Sequence, residues 1–557
     1  MLDNYAIADN FSLISKLMDI QGDNSFKAKS FSSAAFTVEK LPVQLQVTPP
    51  EEISKIKGIG DSIGKAIQEM LTTGKFSALE AYLQKTPPGI LEMLKIKGLG
   101  PKKIGTIWKE LEAETLGELL YACNENRLTL LKGFGSKTQD AVKQSIEFYF
   151  SNQGRYLYAQ AEALALSLEK ELQQLLAPAA VSLTGQFRRN ENIIDEIELV
   201  AALPAPALQE KLGQLATLTQ LAGSDDSLLW QHEQHIKVRI YPASAENFGK
   251  TLFSTTATLP FQEHFSSIYN VNNAPANTAE ADLFSLAGID YIEPCLWNNT
   301  SNIDLAVKKQ LPKLITHQDI KGIIHSHSTW SDGEHTLQQM AVKAKEQGFE
   351  YLVISDHSRS AFYANGLSIE RIQAQHAEID ELNKQLAPFR IFKSIEADIL
   401  NDGNLDYPDE ILATFDLVIA SVHSNLKMTE EKAMARLLKA IENPYTTILG
   451  HMTGRLLLSR NGYPINHQQI IDACAANNVV IEINAHPRRL DIHWEWIPYA
   501  LSKNVLLSID PDAHSTDGFR DIYYGTLAAR KGGLTAAHNL SSFSATELEA
   551  FISRKKK

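Results

Sequence analysis

Between residues 325 and 514, nine side chains have the right chemistry to hold metal ions: His325, His327, Asp332, His357, Glu396, His423, His451, Asp512 and His514. Imidazole and carboxylate together suit Zn²⁺, Mn²⁺ or Fe²⁺ better than Ca²⁺, and no cysteine is needed. A multinuclear site of this kind can polarise phosphoryl oxygens and bring the pKa of a coordinated water to about 7, so no covalent protein nucleophile is required. A single histidine after an apolar run is more often a cap or a core residue. The set is more specific, because His-x-His at 325 and 327 precedes Ser-Asp-Gly at 331 to 333, and Ser-Asp-His (355 to 357) and Asp-Ala-His (512 to 514) follow.

The elements that must carry these residues are short apolar runs alternating with helical stretches from about residue 320, the pattern of a parallel α/β domain. IIHSH ends at His327, YLVISDH at His357, FDLVIASVH at His423, TTILGH at His451 and VLLSIDPDAH at His514. The sequence therefore predicts a distorted β/α barrel, in which residues at the C-terminal ends of successive strands converge although far apart in the chain. These motifs, with EADILNDG at 396 to 403 and EINAHPRRLD at 482 to 491, resemble the PHP (polymerase and histidinol phosphatase) domain. The resemblance implies three divalent ions (Zn, Mn or Fe). His325, His327, Glu396 and Asp512 would hold the first, Asp332, His357 and His514 the second, and His423 and His451 the third, with Glu396 bridging. Catalysis would rest on metal-activated water alone. Arg455, Arg460 and Arg489 are candidates for phosphate contacts and Asp356 for support of a ligand.

A second candidate site lies upstream. VSLTGQFRRNENIIDEIELVAAL, at 181 to 203, resembles the palm signature of family X DNA polymerases, in which a Gly-Ser-x-Arg-Arg turn precedes a strand carrying Asp-x-Asp. Gly185, Arg188 and Arg189 keep the turn, but Glu196 and Glu198 stand at the aspartate positions, and Lys237 in IKVR stands where the third carboxylate belongs. Two-metal transfer needs carboxylates that hold ions about 4 Å apart, and a lysine repels both ions. FSTTATLPF at 253 to 261 also lacks the expected glycine-containing nucleotide-contact turn. The expectation is a degenerate polymerase site on a retained scaffold.

Three similar segments occur before residue 150: KIKGIGDSIGKAI, KIKGLGPKKIGTI and LKGFGSKTQDAV. Glycine permits a tight turn, and the amides at the start of the following helix favour phosphate. They resemble helix-hairpin-helix motifs, with Gly58, Gly60, Lys65, Gly98, Gly100, Lys102, Lys103, Gly133, Gly135 and Lys137 as candidate DNA-backbone contacts that read no sequence. The opening residues resemble the lyase-type domain of family X polymerases. The Schiff-base lysine of that domain falls here on Ala66, beside Lys65, so DNA docking is expected in place of lyase chemistry.

The chain's net charge of −13 is unevenly spread: residues 1 to 150 hold 18 basic and 18 acidic side chains. DNA contact must therefore be local. Cys123, Cys295 and Cys474 are too scattered for a disulfide framework or a zinc finger. No secretory leader or long apolar run is evident, and the reading is a soluble, cytoplasmic monomer without membrane contact. The whole is a multidomain α/β protein. Its expected parts are a lyase-like helical domain (1–85), a fingers-like hairpin region (86–150), an α+β palm (151–245), a thumb-like region and connector (246–318) and the PHP barrel (319–557). The expected function is a metal-dependent phosphoesterase on gapped, nicked or damaged DNA, either a 3′-to-5′ exonuclease or an enzyme of 3′ ends and abasic sites in repair. The alternatives are a gap-filling polymerase with an attached nuclease and a small-molecule phosphatase of histidinol-phosphatase type.

Overall fold

The computed structural model describes residues 2–555 apart from 42, 125–126, 152–153, 225 and 459–460. The chain divides into two compact units, Met1–Gln153 and Gly154–Lys557.

The first unit is helical. Its three glycine turns share one conformation, with Gly58, Gly98 and Gly133 at φ of 93°, 90° and 88°, a region that costs glycine little and other residues more. The residue between each pair of glycines, Ile59, Leu99 or Phe134, is buried and pins the turn to the core. The helices that follow, Asp61–Thr73, Pro101–Leu111 and Ser136–Ser151, start directly after the second glycine. A methyl group on Gly60, Gly100 or Gly135 would meet nothing in the chain within 4 Å. Packing therefore gives no reason for glycine there.

In the second unit a five-stranded sheet comes first: β1 (Val181–Leu183), β2 (Glu196–Ala201), β3 (Leu218–Gln220), β4 (Leu228–His232) and β5 (Lys237–Pro242), in the order β1-β2-β5-β4-β3. Central strands β2 and β5 run parallel, with Glu196 opposite Lys237 and Glu198 opposite Arg239. Because side chains alternate along a strand, these four charged groups share one face. A separate aromatic cluster of Phe253, Phe261, Phe265, Phe284 and Trp297 forms the core of the region that follows.

The C-terminal part is a nearly closed parallel barrel of seven strands: β6 (Gly322–Ser326), β7 (Tyr351–Ile354), β8 (Arg390–Asp398), β9 (Leu417–Ser421), β10 (Ile448–Leu449), β11 (Val480–Asn484) and β12 (Leu507–Asp510). They pair in chain order, and the ends of β6 and β12 meet through hydrogen bonds from His327 N to Ala513 O (2.8 Å) and from Ala513 N to His325 O (3.2 Å). Strands β6, β7, β9, β11 and β12 are buried along their whole length, as runs like YLVI and LVIAS require when helices cover the outside. Side-chain caps from Thr336, Ser368, Thr429 and Asn466 start the surrounding helices.

Helix Ile522–Lys531 joins the barrel to the preceding region. Its last side chain, Lys531, is only 2% exposed and donates to Arg189 O (2.8 Å) and Asn298 Oδ1 (3.1 Å), with Glu191 at 3.3 Å. Tyr523 and Tyr524 both donate to the carboxylate of Glu162. Among the described residues no helix is long and apolar enough to cross a membrane.

Candidate metal centre

All nine predicted side chains meet at the C-terminal mouth of the barrel, around Glu396. This buried carboxylate, near the end of β8, has His423 Nε2 and His451 Nε2 each 3.0 Å from Oε1, with His325 Nε2 at 3.3 Å. Its other oxygen faces His357 Nδ1 at 3.0 Å and His327 Nε2 at 3.7 Å. Asp512 lies 3.1 Å from His327 Nε2 and 3.4 Å from His325 Nε2. On the open side, Asp332 is 3.5 Å from both His357 Nε2 and His514 Nε2. Three overlapping sets of donors, each within 4.8 Å of one another, result: His327, Asp332, His357 and His514; His325, His327 and Asp512; His357, Glu396 and His423. His327 and His357 each belong to two sets, so the rings stand between groups that the sequence reading had kept apart.

Local backbone irregularity aims these groups. The pairing of β6 with β7 slips between Ile323 and Ser326, and His325, inside the slip, takes φ of 60°, as Asp512 takes 53°. Left-handed backbone at a non-glycine residue costs on the order of 1–3 kcal/mol, and such strain collects at functional sites. An ordinary strand would hold His325 in register with its neighbours; the slip re-aims its ring.

Further carboxylates hold the rings from behind. Glu482 on β11 contacts His325 Nδ1 through one oxygen and accepts His451 N (2.5 Å) and Asn484 Nδ2 (3.3 Å) through the other. Asp398 does the same for His423 Nδ1. Such partners fix the ring orientation and raise the basicity of the coordinating nitrogen. The sequence reading did not single out Glu482 or Asp398, although a signal was available: a carboxylate inside an apolar strand needs a partner. Asp356 accepts from Ser328 N, Ser331 N and both serine hydroxyls, so it shapes the loop bearing Asp332 and does not orient its neighbour His357. Arg489 reaches to 3.6 Å from Asp512 Oδ2. Arg455 instead turns inward onto the carbonyls of Arg489 and Leu490, and Arg460 lies outside the described residues.

The electrostatics are those of a cation site. Burial would push the Glu396 and Asp512 carboxyls up, but neighbouring imidazoles, His423 for Glu396 and His325 for Asp512, hold both well below the carboxylate range. Burial likewise opposes charge on His357 and His423 and is the largest single influence on each, but Glu396 together with Asp332 for His357 and with Asp398 for His423 outweighs it and raises them to about 10 and about 9. His327 goes the other way, to about 3, through burial and the nearby His514 and His357. Among the described residues, His325 Nε2, His327 Nδ1, His357 Nδ1, His451 Nδ1 and Glu396 Oε2 are buried with no hydrogen-bond partner. Buried polar atoms rarely go unpaired, and those of His325, His327, His357 and Glu396, which face one another from separate elements, fit divalent ions; His451 turns its other nitrogen, Nε2, to Glu396.

Comparison with known proteins agrees with this geometry. Residues 324–486 match the PHP domain, 2–76 a helix-hairpin-helix domain and 90–147 a SAM-like helix-hairpin-helix tandem. Over 97% of its length the chain is 32% identical to the DNA polymerase/3′-5′ exonuclease PolX of Bacillus subtilis (strain 168), 98% of which is covered. The chain belongs to the PolX family. Proteins named probable phosphatases, from Acetivibrio thermocellus (29% identical) and Clostridium novyi (27%), are similar over 29% of this chain and 64% and 63% of their own.

In this PolX-family chain Glu196, Glu198, Arg188 and Arg189 each have an internal partner. Arg239 binds both oxygens of Glu196 (2.5 and 3.1 Å) and donates to Ser227 Oγ at 2.9 Å. Glu198 accepts Gln186 N (2.9 Å) and Tyr241 Oη (3.1 Å), and burial raises its carboxyl. Its carboxylate fills the space where a side chain at Gly185 would begin. Arg188 forms a two-pronged pair with Glu280, and Arg189 faces Thr256 O and Glu191. Lys237 is exposed at the start of β5, opposite Glu196 in register.

The hairpin residues of the PolX-family helical unit are also laid out as a surface. Lys65, Lys102 and Lys137 are exposed, while Ala66 is buried on another face of its helix. Lys103 is half-buried, with Nζ 3.4 Å from Gly98 O and its charge over the Phe134 ring.

Proposed function

We propose that this protein is a DNA-binding, metal-dependent phosphoesterase that shortens DNA from the 3′ end or processes 3′ termini and abasic sites in repair. The observation that carries the reading is the convergence of imidazole and carboxylate donors around Glu396, with buried nitrogens left for cations. In this reading three divalent ions, of Zn, Mn or Fe, are held by the nine side chains, Glu396 being shared. When bound, such ions supply Lewis acidity toward phosphoryl oxygens and water. The chain's own part is to fix the donors through Glu482 and Asp398, to present Arg489 to a phosphate beside Asp512, and to dock DNA through the hairpins. Gly58, Gly98 and Gly133 shape those turns, Gly60, Gly100 and Gly135 give the sugar-phosphate backbone room, and Lys65, Lys102, Lys103 and Lys137 supply charge. Glu196, Glu198, Arg188 and Arg189, each tied to an internal partner, with Lys237 among them, make a palm that positions DNA without polymerising it.

The test uses the full chain with Mn²⁺ and a labelled gapped duplex, with and without dNTPs, alongside histidinol phosphate. Shortening of the 3′ strand that is lost in His327→Ala and Asp512→Asn is the expected result. Strand extension lost in Glu196→Gln but kept in His327→Ala would establish a polymerase instead. Turnover of histidinol phosphate with no attack on DNA would place the enzyme among small-molecule phosphatases.

A further inference from the structure

After β11 the chain makes a short excursion over residues 485 to 491 and returns to the strand end: Asn484 N donates to Asp491 O (2.8 Å) and Ile492 N to Glu482 O (3.1 Å). Within it Arg489 N donates to His486 O (2.7 Å), and Leu490 takes φ of 46°. That left-handed conformation is strained at a leucine and persists only where the surroundings hold it. Leu490 is buried, which pins the turn from one side. The Arg489 side chain reaches toward Asp512, 3.6 Å from Oδ2, while the main-chain carbonyls face the neighbouring loop. That loop follows β10 and carries the candidate ligand His451 near its start. It binds successive carbonyls: Leu457 N donates to Arg488 O (2.5 Å), Arg455 Nε to Arg489 O (2.9 Å) and Arg455 Nη2 to Leu490 O. Thr453 ties the two loops again, donating through N (2.8 Å) and Oγ1 (2.6 Å) to Asp491 Oδ2 and accepting Arg455 N (3.3 Å).

The carbonyls of Arg489 and Leu490 belong to the peptide groups on either side of the Leu490 Cα. A guanidinium bonded to both therefore fixes both peptide planes around the strained residue. Its planar fork offers two donors at a set spacing, which a lysine cannot do. Withdrawing a cation from water is unfavourable unless its donors are used. Arg455 is half-buried, and burial lowers its hold on the proton against the opposing pull of Asp491 and Glu495. Its hydrogen bonds reach no candidate metal ligand. We propose that Arg455 is a positioning residue: by locking the turn at Leu490 it holds Arg489 beside Asp512, where the Arg489 guanidinium meets a phosphate oxygen of the substrate. This rests on the phosphoesterase reading above and holds whether or not the phosphoester is DNA.

The experiment compares the full-length wild type, Arg455→Lys, Arg489→Ala and the double variant in Mn²⁺, on bis(p-nitrophenyl) phosphate and on a labelled gapped duplex. Arg455→Lys keeps the charge and loses the fork. It should lower kcat/KM about 10- to 100-fold, the effect of displacing a substrate-contacting group by about 1 Å, while its dependence on free Mn²⁺ stays that of wild type. In the Arg489→Ala background the same change should bring no further loss, since no guanidinium is left to position. An equal loss in both backgrounds would mark Arg455 as a support of the fold alone and would overturn the assignment. A shifted Mn²⁺ dependence would overturn it too, by tying Arg455 to the loop of His451. A second readout is independent of turnover: in calorimetry of the Mn²⁺-loaded proteins with inorganic phosphate, Arg455→Lys, Arg489→Ala and the double variant should all bind more weakly than wild type and alike. Equal phosphate binding by wild type and Arg455→Lys, or none by the wild type, would refute the proposal. If Arg455→Lys does not fold, Thr453→Val, which removes the hydroxyl between Arg455 N and Asp491, should show the same dependence on Arg489. If the wild type hydrolyses bis(p-nitrophenyl) phosphate but leaves DNA intact, the DNA reading fails, and comparison of Arg455→Lys in the two backgrounds still decides the positioning role.

Discussion

Glu482→Gln tests how much of the metal centre depends on a residue that binds no ion itself. One carboxylate serves two candidate ligands from different strands: one oxygen receives His325 Nδ1, and the other receives His451 N at 2.5 Å. Glutamine has nearly the same shape but only one accepting oxygen, and its amide nitrogen would confront a second donor. One of the two charge-assisted hydrogen bonds must go, a loss of about 1.5–3 kcal/mol. Independently, removal of a carboxylate behind a ligating histidine lowers metal affinity about 10- to 100-fold, or about 1.4–2.7 kcal/mol. The two estimates agree. In competition with a chromophoric chelator, Glu482→Gln should hold its weakest Mn²⁺ or Zn²⁺ correspondingly less tightly, and phosphodiester hydrolysis should recover as free metal is raised. Metal dependence identical to wild type would refute the argument, and so would a loss of activity that no metal concentration restores.

Other consequences can be checked in the same preparations. Without metal, His357 and His423 are held up at about 10 and about 9, so both rings carry protons at neutral pH that ligation must displace. Metal loading should therefore release protons, and apparent affinity should rise between pH 6 and 8 by about tenfold per pH unit for each proton displaced. Calorimetry in buffers of different ionisation enthalpy measures this, and zero release would contradict it. Lys102→Ala should lower the slope of log affinity against log salt by about 0.9 if that lysine meets a phosphate, as fluorescence anisotropy on a gapped duplex would show. Glu196→Gln should leave hydrolysis unchanged. It should also lower thermal stability, because Arg239 loses a two-pronged partner worth about 1.5–3 kcal/mol; an unchanged melting temperature would show that the pair contributes nothing.

Much of this centre was legible in the chain because barrels impose a simple rule: a polar residue that ends an apolar run lies at the mouth. His357, His423 and His451 follow that rule without help from the rest of the sequence. The slip that turns His325 was not legible, because strand register depends on the neighbouring strand. Nor was the partner of Arg188, since Glu280 lies 92 residues away and nothing local to either residue marks the pairing. Ala66 and Lys65 could be placed on different faces from helical spacing alone.

The seat of Lys531 bears on how the molecule can be taken apart. This ammonium is satisfied by Arg189 O, Asn298 and Glu191, all outside the barrel, and Tyr523 and Tyr524 find their shared acceptor there too. A fragment starting near residue 319 would strip every one of these partners from the helix that packs beside β12. Barrel and palm should accordingly melt in a single calorimetric transition, and protease should find no early cut between them. The region upstream of the barrel thus contributes to the folded interior around Lys531 whether or not its own carboxylates serve a reaction.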